Sequence, residues 1–267
     1  MLRFAANLST MYHEYEFLDR FFAAARDGFT GVEYRLAYEY AATTLAGQLR
    51  ENGLRLVMFN APSGKWHEGE CGLAALPGRE REFRDSMLLA FEYAQVLECQ
   101  NIHVLAGVPA ANANREQARS IYASNLAWAA EQARLFGVEI LIEPIARRSI
   151  IGYFLNRQEE AHAIVEQVAA PNLKVIMDLY HCQLEEGDLA AKIRKYLADP
   201  KQSRIGHFQI GGVPDHHEPD TGEVNYNYLF KLIDELGYEG WVGCEYRPAA
   251  GTAEGLGWLK KWKAAAL

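Results

Sequence analysis

The sequence predicts an α/β protein folded as a single (β/α)8 TIM barrel over residues 1–267. Three observations carry that expectation. Short apolar runs alternate with amphipathic helical stretches eight times, no run lacks a following helix, and acids or amides stand at the ends of four successive runs. Strand–helix alternation implies a parallel sheet, and eight units of roughly 30 or more residues close into a barrel. An open doubly wound sheet is the alternative. It would not bring strand ends as far apart as 143 and 245 to one centre.

Residues 4–8 form the first apolar run, followed by a helical pattern over 14–25. There Phe17, Leu18, Phe21, Phe22 and Ala25 recur at three- and four-residue steps, and Gly28 stops the helix. Residues 31–35 give the second strand. Leu45, Leu49 and the stop at Gly53 mark the second helix, and 55–59 the third strand. A Gly- and Pro-containing loop over 60–78 is long for a plain connection, and such loops often carry function. Residues 79–99 form a helix with Phe83, Met87, Ala90, Phe91 and Ala94 on one stripe.

Strand 102–105 and helix 115–136 follow. Val-Glu-Ile-Leu-Ile-Glu at 138–143, closed by Pro144, has the near-continuous apolar character of a strand buried on both faces. The remaining units are helix 157–168, strand 173–178, helix 189–197, strand 204–209, helix 226–236, strand 240–245 and helix 254–262. No linker or compositional break divides the chain. No Gly-x-Gly-x-x-Gly follows the first strand, and no phosphate-cradling loop is present.

The net charge of −8 argues against a nucleic-acid partner, which usually needs a basic face. No stretch approaches the ~18 uncharged apolar residues that span a bilayer, and the N-terminus lacks signal-peptide character. Cys71, Cys99, Cys182 and Cys244 are scattered with no C-x-x-C, so neither a disulfide framework nor a zinc–thiolate site is expected. The expectation is a cytoplasmic, reduced protein acting on a small molecule; homo-oligomerisation is left open.

The four strand-end residues are Glu143, Asp178, Gln209 and Glu245, and barrel active sites lie at that C-terminal face. Three converging carboxylates repel one another unless protons, a cation or bulk water compensates. Oxygen-rich sites suit hard divalent ions such as Mg²⁺ or Mn²⁺. His181, three residues beyond Asp178 in a loop, is placed to ligate a metal or bond a substrate hydroxyl. Glu33 and His103, on strands two and four, are candidate pocket residues or satisfied interior groups. His207 shares the inward parity of Gln209 and is expected deeper. The polar loop 212–223 offers His216 and Glu218 as further substrate contacts. Trp241 and Trp258 read as packing residues.

At these positions the chain resembles the hydroxypyruvate isomerase family of the xylose-isomerase-like barrels. The resemblance rests on Ala-Leu-Pro-Gly-Arg at 75–79, Ile-Glu-Pro-Ile at 142–145, Gly-Tyr-Phe-Leu at 152–155, Met-Asp-Leu-Tyr-His-Cys-Gln at 177–183, His-Glu-Pro at 217–219 and Gly-Cys-Glu-Tyr at 243–246. It implies aldose–ketose isomerisation of a small sugar acid, such as hydroxypyruvate (to tartronate semialdehyde) or a 2-oxo-tetronate. It also implies one divalent ion held by Glu143, Asp178, Gln209 and Glu245, with Glu143 and Glu245 as the catalytic proton carriers. The chemistry suits these residue types. Moving a carbonyl to its neighbour takes a proton off one carbon and returns it to the next through an enediolate, which two carboxylates can serve as base and acid.

The chain departs from the family pattern in three places. Arg35-Leu36-Ala37 replaces Leu-Phe-Pro, Ala146-Arg147-Arg148-Ser149-Ile150-Ile151 replaces Asn-Thr-Arg-Asp-Ile-Pro, and His216 stands where many members carry Arg. Arg148 keeps the pattern, while Arg35 and Arg147 are additional. All three are candidates to clamp a substrate carboxylate, Arg148 foremost. The alternative is a ketose 3-epimerase on the same barrel and metal site. An abasic-site nuclease fits poorly with an acidic chain, and a non-catalytic binder has no need of paired glutamates.

Overall fold

Eight parallel strands hydrogen-bond in sequence order and close on themselves, β8 pairing with β1. The computed structural model describes residues 1–35, 38–199 and 203–265. The strands are β1 (Arg3–Asn7), β2 (Gly31–Tyr34), β3 (Arg55–Asn60), β4 (Asn101–His103), β5 (Glu139–Ile142), β6 (Leu173–Asp178), β7 (Ile205–Ile210) and β8 (Trp241–Cys244). Around them run α1 (Asp19–Arg26), α2 (Ala42–Glu51), α3 (Glu80–Val96), α4 (Arg115–Leu135), α5 (Gln158–Val168), α6 (Leu179–Glu185), α7 (Leu189–Tyr196), α8 (Tyr226–Glu235), α9 (Thr252–Gly255) and α10 (Gly257–Ala265).

The expected elements are present, with shifted ends. The first helix starts at Asp19 rather than near 14, and β5 and β8 stop one residue short of Glu143 and Glu245. The sequence did not indicate α6. It begins directly at the end of β6, because the Asp178 carboxylate caps it by accepting from the His181 backbone N–H at 3.0 Å. His181 is therefore a helix residue and not, as expected, a loop residue. Leu36 and Ala37, two of the departures from the family pattern, lie outside the described residues.

Two apolar cores hold the architecture. The large one lies between sheet and helices, where Phe83, Met87, Ala90, Phe91 and Ala94 of α3 bury the stripe read from the sequence. The small one fills the barrel axis with Ala5, Val57, Met58, Leu141 and Ile176, packed against Trp241. Alternation along a strand turns every second side chain inward. Above the apolar plug, that same inward parity presents Asn7, Glu33, Glu143, Asp178, His207, Gln209 and Glu245. The polar layers thus begin where the plug ends, toward the C-terminal face.

Candidate active site

The lower polar layer is organised by Glu33, which is fully buried. Its Oε1 accepts from Asn7 Nδ2 at 2.9 Å and from Gln209 Nε2 at 2.8 Å, and its Oε2 accepts from His207 Nε2 at 2.7 Å. A Cβ at residue 243 would lie 2.3 Å from Glu33 Oε2, so glycine there makes room for the carboxylate. Glu33 is not among the residues that line the cavity above. Of the two readings the sequence offered, pocket residue or satisfied interior group, its three bonds to neighbouring strands favour the second and make it a positioning residue. His207 lies deep, as its parity indicated.

The upper layer opens into a cavity of about 660 Å³ at the C-terminal face. Glu143, Glu245, His103, His181, His216, Arg35 and Arg148 all line it. Glu143 is buried, with His103 Nε2 3.5 Å from its Oε2 and His181 Nε2 3.8 Å from its Oε1. Burial, then the neighbouring Glu245, Asp178 and Glu33 charges, push its carboxyl well above the ordinary range. Burial likewise raises Glu245 to about 8 against the opposing charge of Arg35. Asp178 is raised by burial too.

Burial disfavours the charged form of three cavity histidines. Burial pushes His103 and His181 down to about 3 and His216 down to about 4. His103 lies between two partners, its Nδ1 3.2 Å from Asn60 Oδ1 and its Nε2 3.5 Å from Glu143 Oε2. His216 stacks on Tyr180, with ring centroids 3.8 Å apart and planes 10° from parallel.

Several acceptors at this centre have no protein partner among the described residues: Asp178 Oδ2, Gln209 Oε1 and His181 Nδ1. Gln209 gives both bonds of its amide nitrogen to Glu33 and Glu245, so its oxygen is the free end. Glu143, Asp178 and His181 each bring a ligand atom within 4.8 Å of the others. Buried acceptors without donors are costly, and acidic ones repel. Of the expected ligands the structure brings Glu143 and Asp178 together with His181, a donor set that fits a hard divalent ion, while Glu245 is not in that group.

Other expectations separate. Glu218 is buried away from the cavity, where its carboxylate accepts from the Ala249 N–H at 3.2 and 3.3 Å. The sequence offered it as a substrate contact; in the structure it braces the loop after β8. Arg147 is exposed and paired with Glu185 at 2.6 Å, outside the cavity, so it does not join a clamp. Arg148 lines the cavity but donates to Pro214 O and to Tyr180 Oη. Trp66 and Cys71 from the long 60–78 loop, together with Asn7, Asn60, Tyr180 and Arg247, complete the wall. Asn7 and Asn60 end strands β1 and β3, so the strand-end rule applied to amides would have found them.

A closed (β/α)8 barrel with carboxylates gathered at its C-terminal mouth defines the class. The chain belongs to the xylose isomerase-like TIM barrel family, whose model matches residues 21–262. It is 56% identical to the 2-oxo-tetronate isomerase of Cupriavidus necator, over 98% of this chain and 99% of that one. It is 42% identical to the hydroxypyruvate isomerase of Escherichia coli, over 98% and 100% of the two chains. A solved structure from Brucella melitensis, described as an AP endonuclease of family 2, superimposes with a TM-score of 0.94. That protein is 43% identical, and the match covers 98% of this chain and 99% of the other. Within its family the protein is thus an isomerase, grouped with the hydroxypyruvate and 2-oxo-tetronate isomerases. No helix among the described residues is long and apolar enough to cross a membrane.

Proposed function

We propose that the protein interconverts the aldose and ketose forms of a small hydroxy-carbonyl acid, hydroxypyruvate or a 2-oxo-tetronate, by proton transfer between Glu143 and Glu245. The observation that carries this is the pair itself. Both carboxylates line one cavity, and burial raises the proton affinity of each. Glu245, raised to about 8, is placed to take and return a proton near neutral pH, and Glu143 is shifted in the same direction. One glutamate removes the proton beside the carbonyl and the other returns one to the adjacent carbon. His103 Nε2, which has no hydrogen-bond partner among the described residues, is available to a substrate hydroxyl.

Glu143, Asp178, Gln209 and Glu245, with His181 adjoining, would hold a Mg²⁺ or Mn²⁺ ion. The orphaned Asp178 Oδ2 and Gln209 Oε1 support that assignment. When bound, the ion supplies positive charge against the developing enediolate. Glu33 keeps the Gln209 oxygen free by holding its nitrogen.

The cavity arginines favour an acid over the neutral ketose that an epimerase would take. The name carried by the Brucella relative has less support here, since a chain of net charge −8 is poorly suited to a phosphate backbone. The test is an NMR screen of small 2-oxo and hydroxy-aldehyde acids, with matched neutral ketoses, on protein supplied with Mg²⁺ or Mn²⁺. Turnover of the acids is expected. Turnover of the free ketoses alone would replace this reading with the epimerase.

A further inference from the structure

We propose that Arg35 reads the substrate's carboxylate, in a subsite it forms with Trp66 on the β2 side of the cavity. The inference rests on the isomerase reading above and names the residue that sets its preference for acids. Of the arginines near the cavity, Arg148 and Arg247 are exposed. Arg148 also donates through Nη2 to Pro214 O and Tyr180 Oη, and Arg147 is paired with Glu185. Arg35 alone among them is half-buried, lines the cavity and has no carboxylate partner among the described residues.

Its guanidinium lies 5.8 Å from the centroid of the Trp66 ring. An aromatic face anchors a cation without offering an in-plane acceptor, so it does not consume the N–H groups. One long bond of 3.4 Å goes to Ser9 O, which leaves most of the five donors for a ligand. A two-pronged guanidinium–carboxylate pair is the natural use of such a group.

The position is fixed relative to the chemistry. Gln209 donates to Glu33, Asn7 donates to the same oxygen, the Ser9 N–H donates to Asn7 Oδ1 at 3.0 Å, and the Arg35 N–H donates to Ser9 Oγ at 2.8 Å. This unbroken chain ties the Arg35 backbone to the acceptor cluster. Arg35, Glu143 and Glu245 line the same cavity. A carboxylate held by Arg35 therefore keeps the rest of a three- or four-carbon acid in the cavity that both glutamates line.

The test compares Arg35→Met and Arg35→Lys in Mn²⁺-supplied protein, with Arg147→Met as the control outside the cavity. For a turned-over acid, Arg35→Met should raise KM by about tenfold or more with a smaller change in kcat, and Arg35→Lys should recover part of the loss. Binding of tartronate, a three-carbon hydroxy-dicarboxylate, is measured in parallel by calorimetry and should weaken by a similar factor in Arg35→Met. Unchanged KM and unchanged tartronate affinity in that variant would overturn the assignment. If the unmodified protein turns over no hydroxy-carbonyl acid, the isomerase reading fails. The tartronate arm then still decides the subsite, which stands if affinity depends on Arg35 and falls if it does not.

Discussion

Gln209 Nε2 donates to Glu33 Oε1 at 2.8 Å, and this bond decides which end of the Gln209 amide faces the acceptor cluster. A carboxylate accepts and cannot donate, so the nitrogen must turn toward it and the oxygen away. Glu33 touches no cavity, yet it sets the chemistry of a residue beside the proposed cation site.

Glu33→Gln keeps the size of the side chain but brings one donor against a neighbour's donor. Outer partners of a ligand are worth roughly 10- to 100-fold in metal affinity. Mn²⁺ binding, followed by electron paramagnetic resonance titration, should weaken by that order. An unaltered affinity would show that Gln209 does not need Glu33 to orient it.

Gly243→Ala tests the same carboxylate from the opposite side. The added Cβ would lie 2.3 Å from Glu33 Oε2 and 2.5 Å from its Cδ. Overpacking of this kind costs about 1–3 kcal/mol. Urea unfolding should show the loss in midpoint at a constant slope, and no loss would mean that the interior relaxes freely.

Much of this was legible in the sequence. Eight apolar runs spaced by helices gave the barrel, and strand-end position alone picked out Glu143 and Glu245, which line the cavity. What escaped depends on contacts across the ring. Inward parity places Glu33 and Glu143 alike, but only the register of β1, β2 and β7 shows that Glu33 is held by Asn7, His207 and Gln209. Arg35 and Arg147 look equivalent along the chain; one meets Trp66 and the other Glu185. The two-turn α6 was invisible because Asp178 serves both as the last strand residue and as the helix cap.

Exhaustive chelation should abolish turnover until Mg²⁺ or Mn²⁺ is restored, because three buried acceptors at the cluster otherwise have no partner. Full activity in a sample shown by elemental analysis to be metal-free would remove the cation from the account.

Glu143→Gln and Glu245→Gln each keep an oxygen and lose the proton carrier. General acid–base roles are worth roughly 10²- to 10⁴-fold, so kcat should fall by that much in each variant, with metal content measured alongside. A variant that holds its metal and turns over normally would lose its assigned role.

The most direct test of two-glutamate proton transfer is turnover of the accepted acid in D₂O, read by NMR. The account predicts one solvent deuterium at the carbon that receives the proton, with incorporation lost together with turnover in Glu143→Gln and Glu245→Gln. Complete conversion with no deuterium gained would mean that the hydrogen never leaves the substrate, and it would contradict proton transfer through these two carboxylates.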